Sequence, residues 1–199
     1  MKFQKRIMLA AAACLTFGLS AAPQIGVSAP DFSLTDSKGI SYSLKDLAGK
    51  TVVLEWTNHD CPFVKKHYEG NMQALQQRFT AEDVVWLSVI SSAPGKQGHV
   101  SGAVADTLTA SRNAAPTAVL FDESGTVGKA YDAKTTPHMY VIDKAGVLQY
   151  MGGIDSIPSA KVADIAKATP YFANATSAVL AGESPDPAVT KPYGCSVKY

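Results

Sequence analysis

Of the three cysteines in the chain, Cys61 stands in the setting most favourable to reactivity. It lies in Trp56-Thr57-Asn58-His59-Asp60-Cys61-Pro62, between the end of an apolar β-branched run and the start of a helical pattern. Proline suits a first helical position, because the amide it lacks would be unpaired there. The thiol would then face the first-turn amides and the positive end of the helix dipole, and both favour thiolate over thiol. His59, Lys65, Lys66 and His67 add positive charge nearby, and Asp60 opposes it. The bland alternative is a buried or disulfide-bonded structural cysteine, and the polar flanking residues favour the reactive reading. Cys195, in Lys191-Pro192-Tyr193-Gly194-Cys195-Ser196, is the second sulfur of interest. It has three roles open to it: a thiol that resolves oxidised Cys61, a permanent disulfide across 134 residues, or a bridge to another chain.

The elements that must position these residues show in the periodicity. Thr51 to Trp56 and Val84 to Ile90 are short apolar runs of the kind found in buried strands. Between them Val64, Tyr68, Met72, Leu75 and Phe79 recur at steps of three and four, which places them on one helix face. Ala118 to Phe121 is a third strand, closed by a turn at Asp122 to Gly125. Met139 to Ile142 and Val147 to Met151 flank Asp143-Lys144-Ala145-Gly146 and predict a hairpin. Ala160 to Ala168 and Tyr171 to Leu180 read as helices separated by Pro170, and Gly182 to Pro192 as an extended tail. Trp56 and Trp86 are expected to be core or rim aromatics of the sheet. Strand and helix in alternation, followed by a hairpin, predict an α/β domain with a partly antiparallel sheet.

Composition bounds the rest. With 199 residues, 46% hydrophobic and 18% charged, the chain suffices for one globular core and is too apolar for a disordered segment. A net charge of +1 implies no basic face for nucleic acid, and three cysteines make no disulfide-rich scaffold. Residues 1–22 read as an export signal: Lys2, Lys5 and Arg6, an apolar run from Ile7 to Leu19, then Ser20-Ala21-Ala22. That run is too short to span a membrane. A lipoprotein signal at Cys14 is the less favoured variant, since apolar sequence continues beyond it. Export leaves Cys61 and Cys195 as the remaining cysteines, in a compartment where disulfides persist.

Three stretches carry a resemblance. Gly26 to Trp56 (GVSAPDFSLTDSKGISYSLKDLAGKTVVLEW) resembles the opening of the redoxin families: peroxiredoxins of the alkyl hydroperoxide reductase and thiol-specific antioxidant type, and extracytoplasmic thioredoxin-like proteins. Trp56 to Tyr68 (WTNHDCPFVKKHY) and Thr135 to Gly146 (TTPHMYVIDKAG) resemble the peroxiredoxin-like branch of the thioredoxin superfamily. The likeness runs from about Gly26 to Ile154. It implies a thioredoxin-like fold, a central mixed sheet flanked by helices, with Pro137 as the cis-proline facing Cys61. The departures are specific. Val64 stands where a C-x-x-C motif would place its second cysteine, and Lys65 where a copper-delivery C-x-x-x-C would. Leu54 and Asn58 replace the proline and the Thr or Ser that precede a peroxiredoxin cysteine, and Thr136-Pro137 stands in place of the peroxidase arginine. Donors for a peroxide would have to come from Asn58, His59 and backbone amides, with Arg112 more remote.

The resulting expectation is a signal peptide at 1–22, a thioredoxin-like redoxin domain at 23–181 and a tail at 182–199 carrying Cys195. The chain is expected to act in the periplasm or outside the cell as a thiol oxidoreductase without cofactor, membrane span or nucleic-acid partner. Cys61 would attack a peroxide or a disulfide, Cys195 would resolve, Pro137 would shape the groove, and His59 and Asn58 would orient the reactants. An external thiol would supply electrons. The alternative is a non-catalytic metal or cofactor module, with copper held by Cys61, His59 and His138.

Overall fold

The apolar runs pair as their composition demands. In a computed structural model, which describes residues 22–199, the elements in chain order begin with β1 (Ser33–Asp36), β2 (Ser41–Ser43) and β3 (Val52–Trp56). They continue through α1 (Pro62–His67), α2 (Asn71–Ala81), β4 (Val85–Ile90), α3 (Gly102–Ser111), β5 (Ala118–Phe121) and α4 (Thr126–Ala130). The chain then forms β6 (Thr135–Thr136), β7 (His138–Ile142), β8 (Leu148–Gly152), a 3-10 turn at Val162–Lys167, α5 (Tyr171–Leu180) and β9 (Cys195–Ser196). The export segment expected at 1–22, except for Ala22, and Cys14 fall among residues 1–21, outside those described.

Seven strands form one sheet in the order β2-β1-β5-β4-β3-β7-β8. β3, β4 and β5 are parallel, while β7 lies antiparallel on β3 and pairs with β8 through the Asp143 to Gly146 turn. This is the expected α/β domain with a mixed central sheet. Alternation along β3 divides the core between two layers. Val52, Leu54 and Trp56 pack with Leu87, Val89, Tyr131 and Tyr140 on one face. Val53 packs with Trp86, Met139, Val141, Phe79 and Phe172 on the other, beneath α1, α2 and α5. Both tryptophans are fully buried.

Three local expectations are corrected. The apolar stripe from Val64 to Phe79 spans two helices rather than one. The chain breaks at Gly70, whose φ of 116° suits a residue without a side chain, and Gln73 Oε1 then accepts from the Gly70 amide to start α2. The stripe keeps its function across the break, since Val64, Tyr68, Met72 and Phe79 all stay buried. The helix expected at Ala160 to Ala168 is a 3-10 turn that buries none of its residues, flanked by Pro158 and Pro170. Without a buried face, a short segment ahead of a proline gains nothing from α geometry. Third, α3 was not anticipated, because Ala105 is its one buried residue; Ser101 caps it by accepting from the Val104 amide.

Candidate functional site: two thiols beside a cis-proline

The turn that presents Cys61 is built by Asn58. Its side-chain oxygen accepts from the Asp60 amide at 3.0 Å, and its carbonyl accepts from the Cys61 amide at 3.0 Å. Its side-chain amide donates to the Gln97 carbonyl at 3.3 Å, which ties the turn to the loop after β4. Cys61 then caps α1 with extended backbone, Pro62 takes the first helical position, and the Lys65 amide returns to the Cys61 carbonyl at 2.9 Å. The sulfur is completely buried.

Facing it is the loop between α4 and β7, where Thr136–Pro137 is a cis peptide. The Cys61 thiol donates to the Thr136 carbonyl at 3.1 Å. The third wall is the tail. Thr190 Oγ1 accepts from the Gly153 amide at 2.9 Å, and Val189 bridges Met151, so the tail enters along β8. Tyr193 then turns inward, and β9 pairs antiparallel with β6 in the register Thr136↔Cys195. Gly194 permits that approach: a β-carbon there would lie 2.0 Å from the Thr136 carbonyl oxygen, and its φ is 141°. The result sets the Cys195 amide 3.4 Å from Cys61 Sγ. Both cysteines are free thiols.

The two thiols are unequal. Burial opposes ionisation of Cys61, but hydrogen bonds from the Cys195 side chain and the Val64 and Cys195 amides outweigh it, so its pKa falls below the ordinary value. Cys195 moves the other way, to about 11, through burial, its hydrogen bond to Cys61 and the charge there. Cys61 is therefore the more readily ionised of the two thiols and the better nucleophile.

The remaining predicted residues are placed elsewhere. His59 lies 3.4 Å from Asp60 and lines a small cavity with Thr57, Tyr68 and Arg112. His138 packs against Tyr140 on the opposite face of the sheet from Cys61, with ring centroids 4.5 Å apart. The three-residue copper site is thus not assembled. Among the described residues, no group of three or more His, Cys, Asp or Glu side chains is placed to hold a metal ion. Arg112 stacks over the Tyr68 ring, 4.2 Å from its centroid.

Lys66 and His67, expected to lend positive charge to Cys61, are committed to another partnership. Lys66 is buried and donates to Asp155 Oδ2, the Ile157 carbonyl and Tyr193 Oη, each at 3.3 Å. Burial lowers the His67 pKa from 6.5 to about 4, with Asp155 opposing and Lys66 assisting, so the ring is neutral. Asp155 and Tyr193 had no local sequence signal. Neither did Glu55, fully buried on β3, which accepts from Tyr68 Oη at 2.8 Å, Trp86 Nε1 and Ser88 Oγ at 2.9 Å, and Gln76 Nε2 at 3.2 Å. It anchors α1 and α2 onto the strand that leads to Cys61.

A mixed sheet whose central strand delivers a helix-capping cysteine to a cis-proline loop defines a thioredoxin-like protein of the redoxin branch. Within that class the chain belongs to the AhpC/TSA family, which it matches over residues 25–151. It is 30% identical over 126 residues to the thioredoxin-like protein YneN of Bacillus subtilis (strain 168), covering 63% of this chain and 69% of that protein. Among solved structures, an uncharacterized conserved protein from Geobacillus kaustophilus superposes with a TM-score of 0.69 at 26% identity, over 88% of this chain and 92% of that one. A hypothetical protein from Sinorhizobium meliloti 1021 shares the fold at a TM-score of 0.69 and 22% identity, over 90% and 96% of the two chains.

Proposed function

We propose that this chain is an exported thiol–disulfide oxidoreductase whose redox pair is Cys61 and Cys195, with Cys195 taking the part that a second cysteine in the same helix turn would take. The observation that carries this reading is the pairing of Thr136 with Cys195, which brings the Cys195 amide to 3.4 Å from Cys61 Sγ. Membership of a redoxin family supports the same chemistry. Export rests on the charged start, apolar run and small residues of 1–22.

The Cys61 thiolate attacks one sulfur of a substrate disulfide, forming a mixed disulfide and releasing one substrate thiol. Cys195 loses its proton and attacks the Cys61 sulfur. The second substrate thiol leaves, and the enzyme holds a Cys61–Cys195 disulfide, two electrons poorer. An external thiol restores the reduced pair. Pro137 lines the groove opposite the sulfur, and Asn58 sets the turn that presents it.

Peroxide is the second reading, favoured by the AhpC/TSA match. The thiolate would take one peroxide oxygen to give a sulfenic acid and water, and Cys195 would condense with it, releasing a second water. Two of the side-chain donors such a step needs are engaged, since the Asn58 amide bonds Gln97 and Arg112 lies against Tyr68, and His59 lies beside Asp60. Disulfide is therefore the preferred oxidant.

The test exposes reduced protein to equimolar glutathione disulfide or hydrogen peroxide, and follows thiol loss, intact mass and a non-reducing peptide map. Rapid formation of the Cys61–Cys195 disulfide with glutathione disulfide, and no reaction in Cys61→Ser, is the expected result. In Cys195→Ser the reaction stops at a Cys61–glutathione adduct. Full turnover by Cys61→Ser overturns the assignment, and faster oxidation by peroxide than by the disulfide moves the second reading ahead.

A further inference from the structure

The tail covers Cys61 so completely that neither a disulfide nor a peroxide reaches the sulfur while the tail stays docked. Beyond Cys195 the tail is held by the Val197 amide donating to the Lys134 carbonyl at 3.1 Å, the Ala93 amide to the Lys198 carbonyl at 2.9 Å and Tyr199 Oη to the Ala133 carbonyl at 2.8 Å. Before Cys195 the buried polar hold is at Tyr193. Tyr193 Oη donates to Asp155 Oδ1, and it accepts from Lys66 Nζ at 3.3 Å and from His67 Nε2 at 3.0 Å. The direction of the last bond follows from Asn71, whose side-chain amide donates to His67 Nδ1 at 2.9 Å and so leaves the ring proton on Nε2. One phenolic hydroxyl has one proton and two lone pairs, and here all three are used. The socket is closed as well. All three Lys66 ammonium protons have acceptors, and Asp155 accepts from Lys66, Tyr193 and the Ile157 amide. The ring adds an edge-on contact with Phe63 of α1, centroids 5.8 Å apart.

We propose that Tyr193 is a positioning residue that latches the tail over Cys61 through the buried Lys66–Asp155–His67 socket, so that its release opens Cys61 to substrate and its closure delivers Cys195. The energetic reason lies in what opening exposes. Lifting Tyr193 out removes a partner from an ammonium, a carboxylate and an imidazole that are otherwise buried, and each must recruit water. The latch also acts on a short lever: Gly194 alone separates Tyr193 from Cys195, and the pairing with Thr136 fixes the far side. The delivery half of this inference rests on Cys61 and Cys195 being the redox pair. The access half rests only on the burial of Cys61.

The two halves are read separately. In a Cys195→Ser background, the rate at which iodoacetamide alkylates Cys61, identified by peptide mapping, reports tail opening whatever the redox role. Tyr193→Phe keeps the ring and removes the hydroxyl; loss of a hydrogen bond to charged groups is expected to raise that rate by roughly ten- to a hundredfold. Tyr193→Ala raises it further. Leu120→Ala, which weakens the opposite core layer, leaves the rate unchanged if opening is local to the tail. Equal alkylation rates in all of these proteins overturn the latch. With both cysteines present, the equilibrium with glutathione disulfide reports delivery: Cys61 and Cys195 lose two electrons and two protons, one S–S bond forms as another breaks, and two glutathione thiols leave. The Cys61–glutathione adduct on the way keeps the tail off its socket, so Tyr193→Phe lowers the ratio of internal disulfide to adduct, at fixed free glutathione, by a factor similar to the gain in alkylation. If the wild-type protein forms no internal disulfide while Tyr193→Phe still accelerates alkylation, the redox pairing fails and the latch stands.

Discussion

Oxidation of the pair should stabilise the protein by an amount fixed mainly by chain length. A Cys61–Cys195 bond closes a separation of 134 residues in the unfolded chain. The chain-entropy relation for a loop of that size gives about 17 cal/mol/K, or about 5 kcal/mol at room temperature. The folded state should return little of this as strain, because Cys195 is already held against Cys61 by its pairing with Thr136 while both are free thiols. Urea unfolding of the reduced and the oxidised protein, followed by tryptophan fluorescence, measures the difference directly. Trp56 and Trp86 are fully buried, one in each core layer, so both layers report. The melting temperature should rise by about 10–20 °C, at 2–4 °C per kcal/mol for a domain of this size. The denaturant slope should be lower for the oxidised protein, because the cross-link makes its unfolded chain more compact. A gain in stability below about 1 kcal/mol would refute the reasoning, since closure would then cost the folded state almost all that it takes from the unfolded one.

Two further outcomes follow from buried polar groups. Glu55→Ala leaves Trp86, Ser88, Gln76 and Tyr68 without their acceptor and should cost about 3–5 kcal/mol, whereas Glu55→Gln keeps most of the hydrogen bonds and should cost under about 1.5 kcal/mol; equal midpoints for the two variants in urea would contradict this. Burial holds the folded pKa of His67 at about 4 and of His138 at about 3, both below the ordinary 6.5. Below pH 6.5 the unfolded chain binds protons that the fold refuses, so stability is lost as pH falls, by up to about 1.4 kcal/mol per unit for each histidine, until the folded pKa values are reached. A stability curve flat between pH 6.5 and 4.5 would count against both neutral rings.

How far the sequence disclosed this site depends on the distance over which each residue's partners lie. Cys61 was legible because its strand, turn, Pro62 and helix stripe are all local, and the central strands were legible because they are apolar on both faces. Pro137 entered through family resemblance, since nothing in Thr135-Thr136-Pro137-His138 by itself says where the loop points. The place of Cys195 was not legible. β6 and β9 are two residues each, too short for any alternation to register. Closeness in sequence casts Lys66 and His67 as charge for the thiolate, yet they turn to Asp155 and Tyr193, 89 and 126 residues away. The short strand β1, the edge strand β2 beside it and the sparsely buried α3 escaped for the opposite reason: they contribute too little apolar surface to imprint a period.

The separate anchoring of the two sulfurs also bears on how such an enzyme can evolve. When both cysteines of a redox pair occupy one helix turn, a change of partner must work within a fixed spacing and disturbs nucleophile and resolving thiol together. In the proposed pair, Cys61 belongs to the sheet-and-helix body, while Cys195 rides on a strand joined to it by Tyr193, Gly194, the edge at Thr136 and the contacts of Val197 to Tyr199. Under the proposed function, variation within 187–199 would retune closure of the internal disulfide without altering the cysteine that meets the substrate. Selection would then have two handles on one reaction, one in the body and one in the tail.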